Sequence, residues 1–348
     1  MDQLGANIES KPLATRHPLE NLEPLRNAVI RWYEEVAEDY PWRRTRDPYE
    51  ILVSEIMLQQ TQVATVLGKR YFERWLEKFP DVETLATAEE AEILKAWEGL
   101  GYYRRARNLQ KAARAVVDEH RGTFPTTYDS ILALPGVGDY TAGAVSCLAY
   151  GMPVAMVDAN IARVFARWFD FDELIDSTTG KRQLQAWGEA LVDPNSPEFF
   201  NSGVMELGQK HCKPRNPDCH ECPVTDFCTS RSPEKLPKKK AAQSIQSVNE
   251  FAWLVRDDDR ILLEQEAGKR REGLWKLPIA CETEVKGRDE VLRTQYSITR
   301  YRVSLQIFRG RPDDARGTWV SLDELDTIAI AAPFRRAIDQ LLEESLFS

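Results

Sequence analysis

No stretch of the 348-residue sequence approaches the ~18 consecutive apolar residues that a membrane-crossing helix needs, so no membrane-spanning helix is expected. The opening residues, Met1 to Glu20, lack the charged-then-apolar pattern of a secretory signal, and the chain reads as intracellular, with no membrane partner. An excess of positive charge is missing too. Forty-six basic residues stand against 55 acidic ones, a net charge of −9, which argues against a polyanionic partner if charge is spread evenly. Apolar residues are not scarce. At 43% hydrophobic and 29% charged, disorder throughout is excluded, and the length suffices for two domains.

The charge is in fact uneven. Between Gly101 and Gly122 lie Arg104, Arg105, Arg107, Lys111, Arg114 and Arg121 against Asp118 and Glu119, and Arg231 to Lys240 holds five basic residues against Glu234. Local basic faces are therefore compatible with an acidic chain. Cysteine is uneven as well: Cys147 and Cys281 are isolated, and the other four crowd into one short stretch. In an intracellular chain such crowding points to metal rather than to disulfides.

From Leu22 to about Cys228 apolar residues recur three and four apart, as in Ile51, Leu52, Val53, Ile56 and Leu58, which predicts helices and no strand. Residues 1–21 are expected to be a disordered extension and 22–229 a helical domain. Residues 230–248, with Pro233, Pro237 and few apolar side chains, read as a linker. Beyond it the period falls to two, at Phe251, Trp253 and Val255 and again at Val303, Leu305 and Ile307, across a turn at Asp257-Asp258-Asp259. Residues 249–348 thus predict a smaller α+β domain that ends in an amphipathic helix from Pro333 to Glu344.

Four thiolates spaced Cys212-x6-Cys219-x2-Cys222-x5-Cys228 lie on a loop short enough to wrap one metal centre, and on chemistry alone zinc and iron–sulfur both remain open. In Leu134-Pro135-Gly136-Val137-Gly138-Asp139-Tyr140-Thr141-Ala142, two glycines sit in a turn between helical segments. Backbone N–H groups at Gly136, Val137 and Gly138 can approach an anion there, although an ordinary helix–helix turn has the same look. Asp158 precedes the helical run Ile161 to Phe169 and is expected as its N-cap, where the helix N-terminus keeps a carboxylate ionised. Glu55 has mostly apolar helical neighbours; burial among them would raise its pKa, although a helix glutamate angled to solvent shows the same pattern. One carboxyl placed to be protonated and another placed to stay charged is the arrangement that glycosidic-bond cleavage uses.

The cysteine spacing resembles the [4Fe-4S] loop of the endonuclease III and MutY class of DNA repair glycosylases. The Leu134–Ala142 string resembles the helix-hairpin-helix of that superfamily, which is followed by an aspartate at the place of Asp158. Together with Pro41-Trp42-Arg43, Ser54 to Val63, Gly99 to Tyr103, Val157 to Asn160 and Met205 to Gly208, these strings resemble the MutY-type adenine DNA glycosylases from about Leu22 onward. The stretch Gly273-Leu274-Trp275-Lys276-Leu277-Pro278 resembles that family's Nudix-like lesion-recognition module.

The resemblance implies an enzyme that hydrolyses the N-glycosidic bond of adenine mispaired with 8-oxoguanine or guanine in double-stranded DNA. It implies a [4Fe-4S] cluster, a monomer, and in a bacterium a cytoplasmic, nucleoid-associated location. Glu55 would protonate the flipped adenine, Asp158 would stabilise the sugar cation, and Tyr140 and Asn160 would position Asp158 and the water. Gln60 and Tyr102 would enter the base stack, while Trp42, Arg43 and Glu206 would line the adenine pocket. Relatives with lyase activity carry lysine at the place of Tyr140, and a tyrosine cannot form the Schiff base, so base removal without efficient strand cleavage is expected. Two departures stand out. Asp158-Ala159-Asn160 replaces the usual Asp-Gly-Asn, which is tolerated unless that position needs a positive φ. In the lesion-reading loop Thr299 and Arg300 stand where Phe-Ser-His is common, and an arginine cannot act as a neutral imidazole acceptor. The clustered glutamates of active Nudix hydrolases are missing, so no nucleotide hydrolysis is expected. A glycosylase of different mismatch preference, or a noncatalytic iron–sulfur DNA-binding protein, are the competing readings.

Overall fold

The computed structural model describes residues 18–20, 22–241, 243–268, 271–310 and 317–345. Most of the extension expected at residues 1–21 lies outside these, but its Pro18–Glu20 segment forms a 3-10 turn. The helices are α1 (Leu22–Val36), α2 (Pro48–Leu58), α3 (Val63–Gly68), α4 (Tyr71–Lys78), α5 (Val82–Thr87), α6 (Glu90–Ala96), α7 (Arg104–His120), α8 (Tyr128–Leu132), α9 (Asp139–Tyr150), α10 (Ala159–Trp168), α11 (Thr178–Leu191), α12 (Pro197–Lys210), α13 (Glu282–Val285) and α14 (Ala332–Ser345). The strands are β1 (Gln246–Leu254), β2 (Arg256–Asp257), β3 (Arg260–Gln265), β4 (Trp275–Lys276), β5 (Ile279–Ala280), β6 (Glu290–Ile298), β7 (Tyr301–Arg309) and β8 (Thr318–Ser321). Among the described residues the first strand is β1, in keeping with the helical periodicity before it. Among the described residues no helix is long and apolar enough to cross a membrane.

The chain divides into two compact units. The first comprises 1–55, 124–133 and 137–241; its core joins Leu25 and Val29 of α1 to Val164, Phe165 and Trp168 of α10 and to Phe200, Val204 and Leu207 of α12. The second comprises 56–123, 134–136 and 242–348. In its helical part, Trp75 packs edge-on to Trp97 with centroids 5.2 Å apart. In its strand part, one sheet runs β5-β1-β7-β6 with β1 and β7 parallel, and a second runs β2-β3-β4 with β8 on β3. Trp253, Val255, Leu262, Ala280 and Phe308 fill the core there.

This division differs from a helical block followed by an α+β block. Residues 56–123 join the strand region because backbone groups of its C-terminal turns bond to α6 and its end: Lys95 Nζ donates to Ile328 O at 3.0 Å and Ile330 N to Glu98 Oε1 at 3.1 Å. The stretch expected to be a linker is also tied down at its start. Arg167 Nε donates to Leu236 O at 3.1 Å, and Ile175 N to Lys238 O at 3.0 Å, so main-chain pairing fixes a segment whose composition suggested none.

Candidate active site

Three groups of the first unit converge: Glu55, Tyr140 and Asp158. Glu55 sits in α2 among Ile51, Leu52 and Ile56, each almost wholly buried, and is itself only 8% exposed. Burial pushes its carboxyl up to about 7, helped by the nearby Asp158 charge and opposed by a hydrogen bond from the Tyr140 hydroxyl. Tyr140, one residue into α9, is held well above the usual phenol range by burial and by the Glu55 and Asp158 charges.

Asp158 caps α10 as expected. Its Oδ1 accepts from Asn160 N at 2.9 Å and Ile161 N at 2.7 Å. Burial raises the Asp158 carboxyl above its ordinary range, and the two N–H donors and Arg163 counter part of this. Ala159 opens α10 without a positive φ, so no glycine is required there.

The Asn160 side chain makes a separate set of bonds. Its Nδ2 donates to Met205 O at 2.8 Å and its Oδ1 accepts from Arg163, so it fastens α10 to α12, and only its backbone reaches the Asp158 carboxylate. Tyr140 bonds to Glu55, and the Asp158 charge acts on it as well. Gly208 is needed for this seam, because a Cβ there would lie 2.6 Å from Asn160 Oδ1. Arg163 was missed by sequence reasoning; it also donates to Gly208 O and Cys212 O, both at 2.8 Å. Its acceptors are mostly backbone carbonyls, which leave no complementary residue in the sequence to find it by.

Arg43 and Glu206 do meet, in an ion pair of 2.9 Å whose glutamate is buried, with Lys210 at 3.4 Å from the same carboxylate. The Arg43 guanidinium lies over the Tyr40 ring at 4.6 Å, and Trp42 is buried beside Tyr40 with centroids 5.2 Å apart.

Cys212, Cys219, Cys222 and Cys228 line one cavity of about 360 Å³, its mouth included, together with Arg167, Trp168 and His211. Among the described residues no three His, Cys, Asp or Glu side chains converge on one ion-sized point. Burial raises the Cys222 and Cys228 thiols to about 12. The donors fit a thiolate-bound cluster. Arg167, 1% exposed, places Nη1 3.3 Å from Cys212 Sγ, and its other acceptors are the carbonyls of Cys212, Lys213, Pro214 and Leu236. A buried cation without a described carboxylate partner balances the negative charge that four thiolates bring.

The glycine turn joins α8 to α9. Gly136 has φ +79° and faces Asn108, whose Cβ would be 2.5 Å from an added Cβ, so both backbone and space demand glycine. Gly136 and Gly138 are exposed and Val137 half-buried, and no side chain caps α9 at Gly138. In the second unit, Gln60, Tyr102 and Thr299 are all exposed and all left-handed, with φ of +57°, +48° and +52°. Such strain in non-glycine residues persists only where the surroundings fix it, and it gathers at functional sites. Thr299 and Arg300 form the two-residue turn between β6 and β7. Arg300 Nη1 donates to Gln243 Oε1 at 3.0 Å, and its guanidinium lies 5.3 Å from the Tyr301 ring centroid.

Residues 53–189 match the HhH-GPD superfamily of base excision DNA repair proteins, and 212–228 match the iron–sulfur binding domain of endonuclease III. The cysteine loop is therefore the seat of an iron–sulfur cluster of the [4Fe-4S] class. An adenine DNA glycosylase of Buchnera aphidicola (subsp. Baizongia pistaciae) is 32% identical over 71% of this chain and 70% of its own length. The human adenine DNA glycosylase is 43% identical over 59% of this chain and 39% of its length. The chain spans about two fifths of the human, mouse and rat relatives that it matches. Among solved structures, a thermostable thymine-DNA glycosylase is 33% identical with a TM-score of 0.56, covering 62% of this chain and 98% of that one. A trapped endonuclease III–DNA covalent intermediate, 24% identical with a TM-score of 0.53 over 62% of this chain and 97% of that one, shares the fold.

Proposed function

Because the chain belongs to the adenine DNA glycosylase family of the HhH-GPD superfamily, we propose that it excises mispaired adenine from duplex DNA by hydrolysing the N-glycosidic bond. The observation that carries this reading is the Glu55 carboxyl, buried, raised to about 7 and bonded to Tyr140 in a site shared with Asp158. At neutral pH a substantial fraction of Glu55 holds the proton that a leaving adenine needs on a ring nitrogen. As the bond breaks, positive charge develops on the sugar, and the Asp158 carboxylate stabilises it or bonds to it transiently. The growing cation favours ionised Asp158, which offsets the effect of burial. The target must leave the stack, since its glycosidic bond is unreachable inside the duplex.

With tyrosine at position 140 and no amine there to attack the sugar, the reaction stops at the abasic site. The opposite base is 8-oxoguanine or guanine. Gln60 and Tyr102 enter the stack, Gly136, Val137 and Gly138 hold phosphate through backbone groups, and Trp42, Arg43 and Glu206 shape the adenine pocket. The β-rich part of the second unit acts as a Nudix-like module that reads the partner base through Thr299 and Arg300. The enzyme works as a monomer. Cys212, Cys219, Cys222 and Cys228 would hold the cluster, which would cross-link their loop. Single-turnover release from an adenine:8-oxoguanine duplex, with and without alkali, tests the proposal. Strand breaks only after alkali, lost in Glu55→Gln, are expected.

A further inference from the structure

The six basic residues between Gly101 and Gly122 do not all form a surface. Arg105, in the first turn of α7, is only 9% exposed, and burial pulls its guanidinium down to about 10. None of its described partners is a carboxylate. Nη1 donates to Ile56 O at 2.8 Å, to Met57 O at 2.9 Å and to Gln59 O. Nη2 donates to Leu100 O at 3.0 Å, Gly101 O at 3.1 Å and Thr61 Oγ1 at 3.2 Å. The Trp97 and Tyr102 rings flank the group at 5.3 and 5.7 Å.

These acceptors fall into two sets. One is the end of α2 and the turn after it, whose carbonyls have no intrahelical donors and carry the negative end of the helix dipole. Its members Gln59 and Thr61 flank the left-handed Gln60. The other is the Leu100–Gly101 loop that leads straight into the left-handed Tyr102. Each left-handed non-glycine residue is strained and persists only where its neighbours fix it. One planar guanidinium, with its two ends on two different turns, does this for both.

We propose that Arg105 is the positioning residue that sets Gln60 and Tyr102 at a fixed spacing, and thereby the gap through which the base stack is opened. This rests on the adenine-excision reading above, and it adds to it a residue that touches no DNA. Lysine does not substitute, because a single ammonium with three donors cannot span two turns.

The test compares the wild type with Arg105→Lys and with Thr61→Val, which removes one acceptor only. Excision is measured on adenine paired with 8-oxoguanine and on adenine in an unpaired bulge that needs no opening, while 2-aminopurine in place of the paired adenine reports unstacking on binding. The expected result is a loss of tenfold or more for Arg105→Lys on the paired duplex, a loss under threefold on the bulge, a smaller rise in fluorescence, and an intermediate effect for Thr61→Val. Equal losses on the two substrates, or no loss of unstacking, overturn the inference. If the wild type releases no adenine yet unstacks 2-aminopurine and Arg105→Lys does not, the excision reading falls and the positioning role stands.

Discussion

The Tyr140 hydroxyl donates to the Glu55 carboxylate, and the two groups act on each other in opposite senses: the bond steadies the ionised glutamate while the glutamate's charge suppresses ionisation of the phenol. Burial outweighs the bond at Glu55. The net effect is a carboxyl that titrates at about 7 in the folded state against an ordinary 4.5.

That shift has a measurable sign. Since the folded state holds the proton up to about pH 7 and the unfolded chain releases it near 4.5, stability falls as pH rises between the two values, by on the order of 3 kcal/mol in full. Glu55→Gln keeps the shape without the charge. It is expected to match the wild type in stability at pH 4 and to exceed it by about 3 kcal/mol at pH 8, in denaturant titrations at the two pH values. Excision by the wild type is expected to decline above about pH 7 as the acid is lost.

A lysine in place of Tyr140 would lie beside two carboxylates. Tyr140→Lys is expected to form a borohydride-trappable adduct with DNA at the abasic sugar, whereas the wild type forms none. Gel electrophoresis after borohydride reads the difference, and a trapped wild-type adduct would contradict the monofunctional assignment.

At the α10–α12 seam, Gly208→Ala would press a methyl into the Asn160 carboxamide, 2.6 Å from the added carbon. The expected cost is about 1–3 kcal/mol of stability, with excision falling as the Asp158 cap shifts. Thermal unfolding and single-turnover rates check the two effects separately.

The purified protein is expected to absorb broadly near about 400 nm, and Cys222→Ser to lose most of that absorbance. Arg167→Met, which removes the donor to Cys212 Sγ, is expected to speed loss of the colour in air.

Much of this was legible in the sequence because the signals were local. The apolar spacing around Glu55 gave its helix and its burial, and the residues around Asp158 gave its capping role, since both depend on neighbours within one or two turns. The period of two from Phe251 gave the sheets. What depended on distant backbone was hidden. Arg105, Arg163 and Arg167 are buried by bonding mainly to carbonyls, which every residue has, so no partner type marks them. For the same reason Arg105 passed as part of a basic face, and Leu236 and Lys238 as linker. The bond from Asn160 to Met205 O was hidden too, because Met205 is 45 residues away.

The central claim is tested most directly by single-turnover base release from duplexes carrying adenine opposite 8-oxoguanine, guanine, cytosine and thymine, with alkali to reveal abasic sites. The account predicts fast release opposite 8-oxoguanine, slower release opposite guanine, and little opposite the pyrimidines. Silence on every duplex from protein with its cluster loaded would contradict it.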